Sequence, residues 1–130
     1  PLFWQVIEGK DKIPVVLFEA SRDLDSGPIW LKDSMQLEGH ELHDELRLKQ
    51  ANVTKKLCIN FLKNYKKLSP KLQVGEESSY PRRNPDDSKL DPDKTIREQF
   101  ELLRTVNNED FPAYFELRDH KYILKICKND

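Results

Sequence analysis

The stretch that decides the fold is IPVVLFEASRDLDSGPIWLKDSMQL, residues 13–37. Its first part, residues 13–20, is short, apolar and rich in β-branched side chains, which is typical of a buried strand. Residues 28–37 form a second apolar run that alternates less regularly. Between the two runs, residues 21–27 are mostly small or acidic and end in Gly27, which is the composition of a sharp loop. Two strands joined by a short glycine-containing loop predict an antiparallel hairpin.

Helical patterns flank this hairpin on both sides. Residues 1–8 carry apolar side chains at helical spacing, and Gly9 follows them as a C-cap. Downstream, apolar residues recur at helical spacing opposite a lysine-rich face, which predicts a long helix over about 41–66. Together with the hairpin, these elements place the chain in the α/β class.

The last third of the chain changes character. Four of the eight prolines lie in residues 69–92, which predicts a linker. Asp91 and Pro92 then form a helix start, and we expect a helix over about 93–106. Its buried face would carry Ile96, Phe100, Leu103 and Val106. Residues 114–118 and 121–126 alternate around Asp119-His120, which predicts a terminal hairpin turning at those two residues.

Size and charge exclude several classes of function. The chain has 130 residues, which indicates one domain or a part of one. Its 22 basic and 23 acidic side chains leave a net charge of −1, so the clustered basic excess of a nucleic-acid grip is missing from the composition. No apolar run approaches the roughly 20 residues of a membrane span, and we expect neither membrane insertion nor secretion. We expect a cytoplasmic protein, with Cys58 and Cys127 buried as small apolar residues in a reducing compartment.

Few side chains indicate chemistry by spacing alone. An acidic loop at a strand end, as in residues 22–27, can present a carboxylate to a pocket, or its Asp side chains can hydrogen-bond their own backbone. His40 and His43 are three residues apart at a helix start, but no further ligands stand at recognisable spacing, so we predict no metal site.

Two arginines, Arg82 and Arg83, stand in a proline-stiffened segment after Tyr80. Arginine pairs bind phosphates, so a nucleotide-linked ligand is one interpretation. The other is that both arginines pair with Asp86, Asp87 or neighbouring acids, or stack on Tyr80, and so fix the linker.

Four motifs in order carry a resemblance to a known family. They are Phe3-Trp4-Gln5, Val15-Val16-Leu17-Phe18, Leu24-Asp25-Ser26-Gly27-Pro28-Ile29 and Arg82-Arg83-Asn84-Pro85-Asp86-Asp87-Ser88. Over essentially the whole chain, the sequence resembles the C-terminal part of a 10-formyltetrahydrofolate-dependent formyltransferase of the methionyl-tRNA and sugar N-formyltransferase type.

The resemblance implies a role for the loop of the first hairpin. In the family, the Asp of the Leu-Asp-small-Gly motif completes an Asn-His-Asp catalytic set, and by that match Asp25 is the catalytic residue. The main chain of Ala20, Ser21, Arg22, Asp23 and Leu24 would contact the pterin ring of 10-formyltetrahydrofolate. The co-substrate requires no metal. Arg82 and Arg83 would contact the second substrate.

The resemblance also implies a domain organisation. Residues 1–68 would be the C-terminal half of the catalytic domain, 69–92 a Pro-rich linker, and 93–130 a short helix-and-hairpin extension. The Asn-x-His segment of the family lies upstream of the matched region, so we expect these residues alone to be inactive. An exposed apolar face of the hairpin strands would be covered by a second copy of the chain, in a homodimer.

Several formyl acceptors are compatible with this match. The C-terminal extension is short and nearly neutral, which favours a nucleotide-linked amino sugar as the small-molecule substrate over tRNA, although tRNA stays open. The purine-pathway enzyme shares the Asp-x-Gly-Pro loop but lacks the Arg-Arg segment. A formyltetrahydrofolate deformylase is a further alternative, and a non-catalytic dimerisation or interaction module is the alternative of another class.

Overall fold

The computed structural model of the chain describes residues 2–22, 25–74 and 79–129. It divides into two compact units, each assembled from separated segments. Unit 1 comprises residues 1–11, 37–46 and 79–130, and unit 2 comprises residues 12–36 and 47–78. In chain order the elements are α1 (Leu2–Ile7), β1 (Lys12–Phe18), β2 (Ile29–Gln36), α2 (His43–Asn64), α3 (Phe100–Leu103), β3 (Ala113–Leu117) and β4 (His120–Leu124). None of the helices in these described ranges is long and apolar enough to cross a membrane.

Unit 2 is built on the predicted hairpin. Strands β1 and β2 pair antiparallel, with Ile13 opposite Met35, and both of these side chains are buried. The register shifts between Leu17 and Phe18, so that Trp30 is the extra residue of a bulge. The predicted strand pair is therefore confirmed, and the bulge lies at the loop end of the strand pair.

Unit 1 has its own apolar core. The fully or nearly fully buried residues of this core are Leu90, Leu103, Val106 and Ala113. The antiparallel strands β3 and β4 are the predicted terminal hairpin. Its turn falls one residue earlier than predicted, because Arg118 and Asp119 adopt the left-handed conformation (φ 52° and 63°) that a two-residue hairpin loop requires.

Two helices of the sequence prediction have different outcomes. The long helix is confirmed as α2, and α1 ends before Gly9, which has the expected left-handed conformation (φ 78°). The helix predicted over 93–106 is wrong: only α3 is helical, and residues 92–99 form turns.

Side-chain hydrogen bonds explain why that helix is short. The Gln99 amide donates to the carbonyls of Asp91 (3.0 Å) and Lys94 (3.3 Å), and its oxygen accepts from the Asp91 N–H (2.9 Å). The Thr95 hydroxyl and Glu98 carboxylate bond each other and each other's backbone. The Gln99 bonds occupy the Asp91 and Lys94 carbonyls that a helix beginning at Asp91 would use. The Thr95–Glu98 bonds are those of a capping box, which marks a helical turn beginning at Thr95 and not at Asp91, and Ile96 is left 55% exposed instead of buried.

The cysteine prediction is also wrong, since Cys58 and Cys127 are both exposed free thiols. Cys58 lies on the exposed face of α2, and other residues of that helix form its buried apolar stripe. Leu46 and Leu57 are the buried members of the stripe.

Candidate functional site

The loop between β1 and β2 contains the residue that the sequence singles out. The loop is closed at its base by the Glu19 N–H, which donates to the Pro28 carbonyl at 2.9 Å. Above this bond Asp25 is exposed, and the hydroxyls of Ser21 and Ser26 face each other at 2.8 Å. The loop thus presents a carboxylate to solvent from a closed backbone ring.

Gly27 makes this closure possible. A Cβ built on Gly27 would lie 1.7 Å from the carbonyl oxygen of Glu19 and 2.7 Å from its carbon. Gly27 is itself buried, so the two backbone segments cross in contact. Any larger residue would force them apart, which is the physical reason for glycine in the Leu-Asp-Ser-Gly segment.

Asp25 has an unusual backbone conformation. Its φ is 54°, in the left-handed region that residues with a Cβ rarely occupy. Asp and Asn tolerate this region better than most residues because their short polar side chains can bond locally. The conformation is held from outside the loop: the side-chain amide of Gln73 donates to the carbonyl of Asp25 at 2.6 Å.

The other predicted loop residues divide into two groups. Ala20, Ser21 and Arg22 are exposed and lie beyond the last paired residue of β1. Their main chain is therefore placed where it can contact a ligand with its own donors and acceptors. The predictions for Asp23 and Leu24 lie outside the described residues.

One acidic side chain near the loop is structural. Asp33 of β2 accepts from the Lys56 ammonium at 2.7 Å and from the Ser34 N–H at 2.8 Å. These two bonds, the lysine first, hold the pKa of Asp33 below its ordinary value. Asp33 is therefore a suitable control residue for Asp25, because it is a carboxylate of the same unit with a structural role.

The two arginines have different surroundings in unit 1. Arg82 is exposed, but Arg83 is half-buried and its Nη1 donates to the carbonyl and hydroxyl oxygens of Thr105 at 3.1 and 2.9 Å. The Arg83 guanidinium also lies over the ring of Phe3, 5.7 Å from its centre. Burial lowers the pKa of Arg83, and the charge of Asp87 acts in the opposite direction.

Arg83 therefore fixes the proline-stiffened segment to Thr105 and Phe3. The sequence had indicated instead that the arginines would pair with nearby acidic residues or stack on Tyr80. Within the described ranges, its Nε and Nη2 are buried and have no hydrogen-bond partner. Tyr80 instead donates to Glu8 (2.9 Å) and accepts from Lys10 (3.2 Å). Of the two arginines, only Arg82 is free of a buried structural role.

The histidines lie in unit 1. Glu38, His40 and Glu41 bring metal-ligand atoms within 4.8 Å of one another. The buried Glu41 already accepts from the backbone of Glu38 and Gly39 and from Arg104. The ammonium of Lys128 lies 2.9 Å from His40 Nδ1, and its positive charge would repel a metal ion bound by His40. This group therefore acts as a polar cluster of the fold.

Sequence reasoning missed Gln73. It stands in the Pro-rich segment, 48 residues from Asp25, and nothing in the spacing of residues 69–74 indicates a contact with the loop. The only available signal is its residue type, a side-chain amide with two N–H groups.

The comparisons with known proteins agree with the resemblance. No protein-family model matches the chain. A methionyl-tRNA formyltransferase of Thermodesulfovibrio yellowstonii is 29% identical over 133 aligned residues, which cover 100% of this chain and 42% of that protein. One of Thermosipho melanesiensis is 34% identical over 89 residues, covering 68% of this chain and 29% of that protein. The chain thus spans less than half the length of the curated relatives it matches.

Solved structures share the fold. A Mycobacterium tuberculosis protein inferred to be a sugar N-formyltransferase superposes with a TM-score of 0.79 at 18% identity, over 100% of this chain and 59% of that one. Methionyl-tRNA formyltransferase from Clostridium thermocellum gives 0.72 at 21% identity, over 93% and 52%. HypX from Aquifex aeolicus, in complex with tetrahydrofolic acid, gives 0.69 at 16% identity, over 95% and 22%.

The order of the motifs, the α/β fold and the match along the whole chain lead to one conclusion. This chain belongs to the formyltransferase family and corresponds to the C-terminal part of its members.

Proposed function

We propose that this chain supplies the carboxylate of Asp25 to a site that transfers a formyl group from 10-formyltetrahydrofolate to an amine. One observation carries the proposal. In the segment that matches the family's catalytic motif, Asp25 is exposed in the loop that connects β1 and β2, on a backbone held in the left-handed conformation. Left-handed non-glycine residues concentrate at functional sites, where the surrounding structure maintains the strain.

The chemistry explains why a carboxylate is needed. Transfer of a formyl group from a folate nitrogen to an amine passes through a tetrahedral intermediate with a developing oxyanion, and a proton must leave the attacking amine. The carboxylate of Asp25 would orient a catalytic histidine and assist the movement of that proton to the folate nitrogen, which leaves as its bond to the formyl carbon breaks. The oxyanion would be stabilised by the Asn and His of the family's upstream segment, in a part that these residues do not include.

The loop suits main-chain recognition of the co-substrate. Ala20, Ser21 and Arg22 are exposed beyond the strand ladder, and a pterin ring offers several donors and acceptors along one edge. Recognition through the main chain depends on the loop's shape more than on its residue types. We therefore propose that the backbone of residues 20–24 binds the folate, with no metal ion in the site.

We propose a nucleotide-linked amino sugar as the formyl acceptor. The near-neutral charge of the chain and the exposed guanidinium of Arg82 support a small phosphorylated ligand over a long polyanion. A second candidate is methionyl-tRNA, which is favoured by the names of both curated relatives. A formyltetrahydrofolate deformylase, in which water takes the formyl group, is the third.

The organisation of the protein is part of the proposal. Residues 1–68 would be the C-terminal half of a catalytic domain. Residues 69–92 would be a Pro-rich linker between this domain and a short helix-and-hairpin extension, residues 93–130. Leu117 and Tyr122 lie on one face of the β3–β4 hairpin and are 48% and 45% exposed, which supports burial of that face against a second copy. We place the protein in the cytoplasm, where 10-formyltetrahydrofolate is available.

An acceptor panel tests the reaction. The gene product that contains this chain is incubated with 10-formyltetrahydrofolate and, separately, a nucleotide-linked amino sugar, methionyl-tRNA or water alone. Release of tetrahydrofolate only with the amino sugar is expected. Release with tRNA or with water identifies the corresponding alternative, and no release with any acceptor would favour a non-catalytic interaction module.

A titration tests the expected inactivity of the 130 residues alone. Without the oxyanion stabiliser, a site of this kind loses on the order of 3 to 4 kcal/mol of transition-state stabilisation. The loss applies to formyl transfer, which should not be measurable. Binding should also be weak, because the loop of residues 20–25 would hold the folate against an upstream part that these residues do not include, so calorimetric titration with a tetrahydrofolate analogue should show no micromolar binding. A micromolar dissociation constant, or measurable transfer to an amino sugar, would contradict the expectation.

A further inference from the structure

Gln73 lies far from the hairpin in sequence but is anchored beside it in unit 2. Lys71 and Ile29 exchange two backbone hydrogen bonds, of 2.8 and 2.7 Å, so that this segment runs antiparallel to the start of β2. Two residues further on, Nε2 of Gln73 donates to the carbonyl of Asp25 at 2.6 Å and to that of Gly27 at 2.7 Å. One side-chain amide thus bridges both sides of Ser26.

The geometry suits this residue type. A glutamine amide nitrogen carries two hydrogens, so it satisfies two carbonyl oxygens at once without a charge. The two carbonyls flank the turn in which Asp25 has its left-handed φ of 54°. A residue in that conformation relaxes to negative φ unless neighbouring groups hold it, and such a rotation would swing its carboxylate away.

We propose that Gln73 is a positioning residue for Asp25. Its amide holds the carbonyls of Asp25 and Gly27, and this fixes the direction in which the Asp25 carboxylate leaves the loop. The inference rests on the proposed function, since it assigns to Gln73 an effect on turnover that acts through the catalytic carboxylate.

Two near-isosteric variants remove the bridge. Gln73→Met keeps the length of the side chain without donors, and Gln73→Glu replaces the donor nitrogen by an oxygen that repels both carbonyls. In the gene product that contains this chain, we expect kcat for formyl transfer to fall about tenfold, the effect of losing one to two net hydrogen bonds. The KM for the amine acceptor should stay within about twofold, because the proposal gives Gln73 no contact with the acceptor.

The matched control is Gln50→Met. Gln50 belongs to α2 in the same unit, where its side-chain oxygen accepts from Arg47 at 3.3 Å. This variant should leave kcat and KM unchanged. An equal fall in kcat for Gln50→Met would show that the loss at Gln73 is a general effect on the unit and would overturn the inference.

A double-mutant cycle separates this inference from the proposed function. If Gln73 acts through Asp25, then Gln73→Met should have no further effect on kcat once Asp25→Asn is present. If Asp25→Asn alone leaves turnover unchanged, the proposed function fails. If Asp25→Asn lowers turnover but Gln73→Met does not, or if Gln73→Met lowers turnover by the same factor in both backgrounds, the positioning role fails and the proposed function stands.

A structural readout needs no activity. Hydrogen exchange of the Glu19 amide reports opening of the loop base, since that amide bonds Pro28. In the 130-residue chain, Gln73→Met should raise its exchange rate about tenfold. Unchanged exchange would show that the loop does not depend on Gln73 and would overturn the inference.

Discussion

Substitution of Gly27 by alanine probes the loop that carries Asp25. The new Cβ would lie 1.7 Å from the carbonyl oxygen of Glu19, whereas real Cβ atoms essentially never approach within 3.0 Å. Because the opposing atoms are backbone, no side chain can rotate out of the way. The two segments must separate by about 1.5 Å, since a packed interior has no spare volume to absorb the clash.

Separation by this distance breaks two hydrogen bonds. The bond from Glu19 to Pro28 closes the loop base, and the bond from Gln73 to Gly27 holds its side. Each is worth about 1 kcal/mol net, and donors left without partners cost about 1 to 3 kcal/mol more. We therefore expect Gly27→Ala to lower the free energy of unfolding by about 2 to 4 kcal/mol, which lowers Tm by about 6 to 15 °C at this chain length.

Thermal unfolding followed by circular dichroism measures this effect, and hydrogen exchange of the Glu19 amide locates it. Gly39→Ala is the control, because its φ of 92° imposes strain while nothing lies within 4 Å of the added Cβ. The control should lose about 1 to 2 kcal/mol and leave Glu19 exchange unchanged. A Gly27→Ala protein with the wild-type Tm and wild-type exchange would refute the close backbone crossing.

Three further predictions concern unit 1. Arg104→Met leaves the carboxylate of Glu41, only 1% exposed, without its cation, and denaturant unfolding should show a loss of about 3 to 5 kcal/mol; a loss below about 1 kcal/mol would contradict the buried pair. The hydrogen bond from Lys128, and then that from the backbone, lowers the pKa of Glu45 below its ordinary 4.5. This stabilisation is present above 4.5 and is lost as pH falls through the lower folded-state pKa, so Tm of Glu45→Gln should depend less on pH between about 5 and about 3 than that of the wild type. Parallel profiles would contradict the pairing. Asp119→Gly should raise stability by about 0.5 to 1 kcal/mol because φ is 63° there, and a fall in Tm would contradict the turn geometry.

The sequence predicts the elements whose signals are local. The β1–β2 hairpin follows from two apolar runs around a loop that ends in Gly27, and all of these signals lie within residues 13–37. Helix α2 follows from the spacing of its apolar stripe. The short extent of α3 could not be predicted, because the Gln99 side chain competes with the helix through bonds to Asp91, eight residues away.

The site divides in the same way. Asp25 can be found from its motif, since the family match is a local pattern. Gln73 is brought to the loop by tertiary structure alone, across 48 residues, and Arg83 finds Thr105 across 22. Neither partner could be predicted from spacing, because many polar residues in the chain would have served equally well.

Turnover of 10-formyltetrahydrofolate by Asp25→Asn tests the central claim most directly. In the gene product that contains this chain, the variant should transfer formyl groups about 10²- to 10⁴-fold more slowly than the wild type, the range for loss of a positioned acid–base group. Asp33→Asn, which removes a structural carboxylate of the same unit, should retain near-wild-type turnover. Lys56, the partner in its ion pair, is 74% exposed, so the pair should contribute about 1 kcal/mol or less and the fold should tolerate the loss. Formyl transfer by Asp25→Asn at the wild-type rate would contradict the assignment of this loop to the catalytic site.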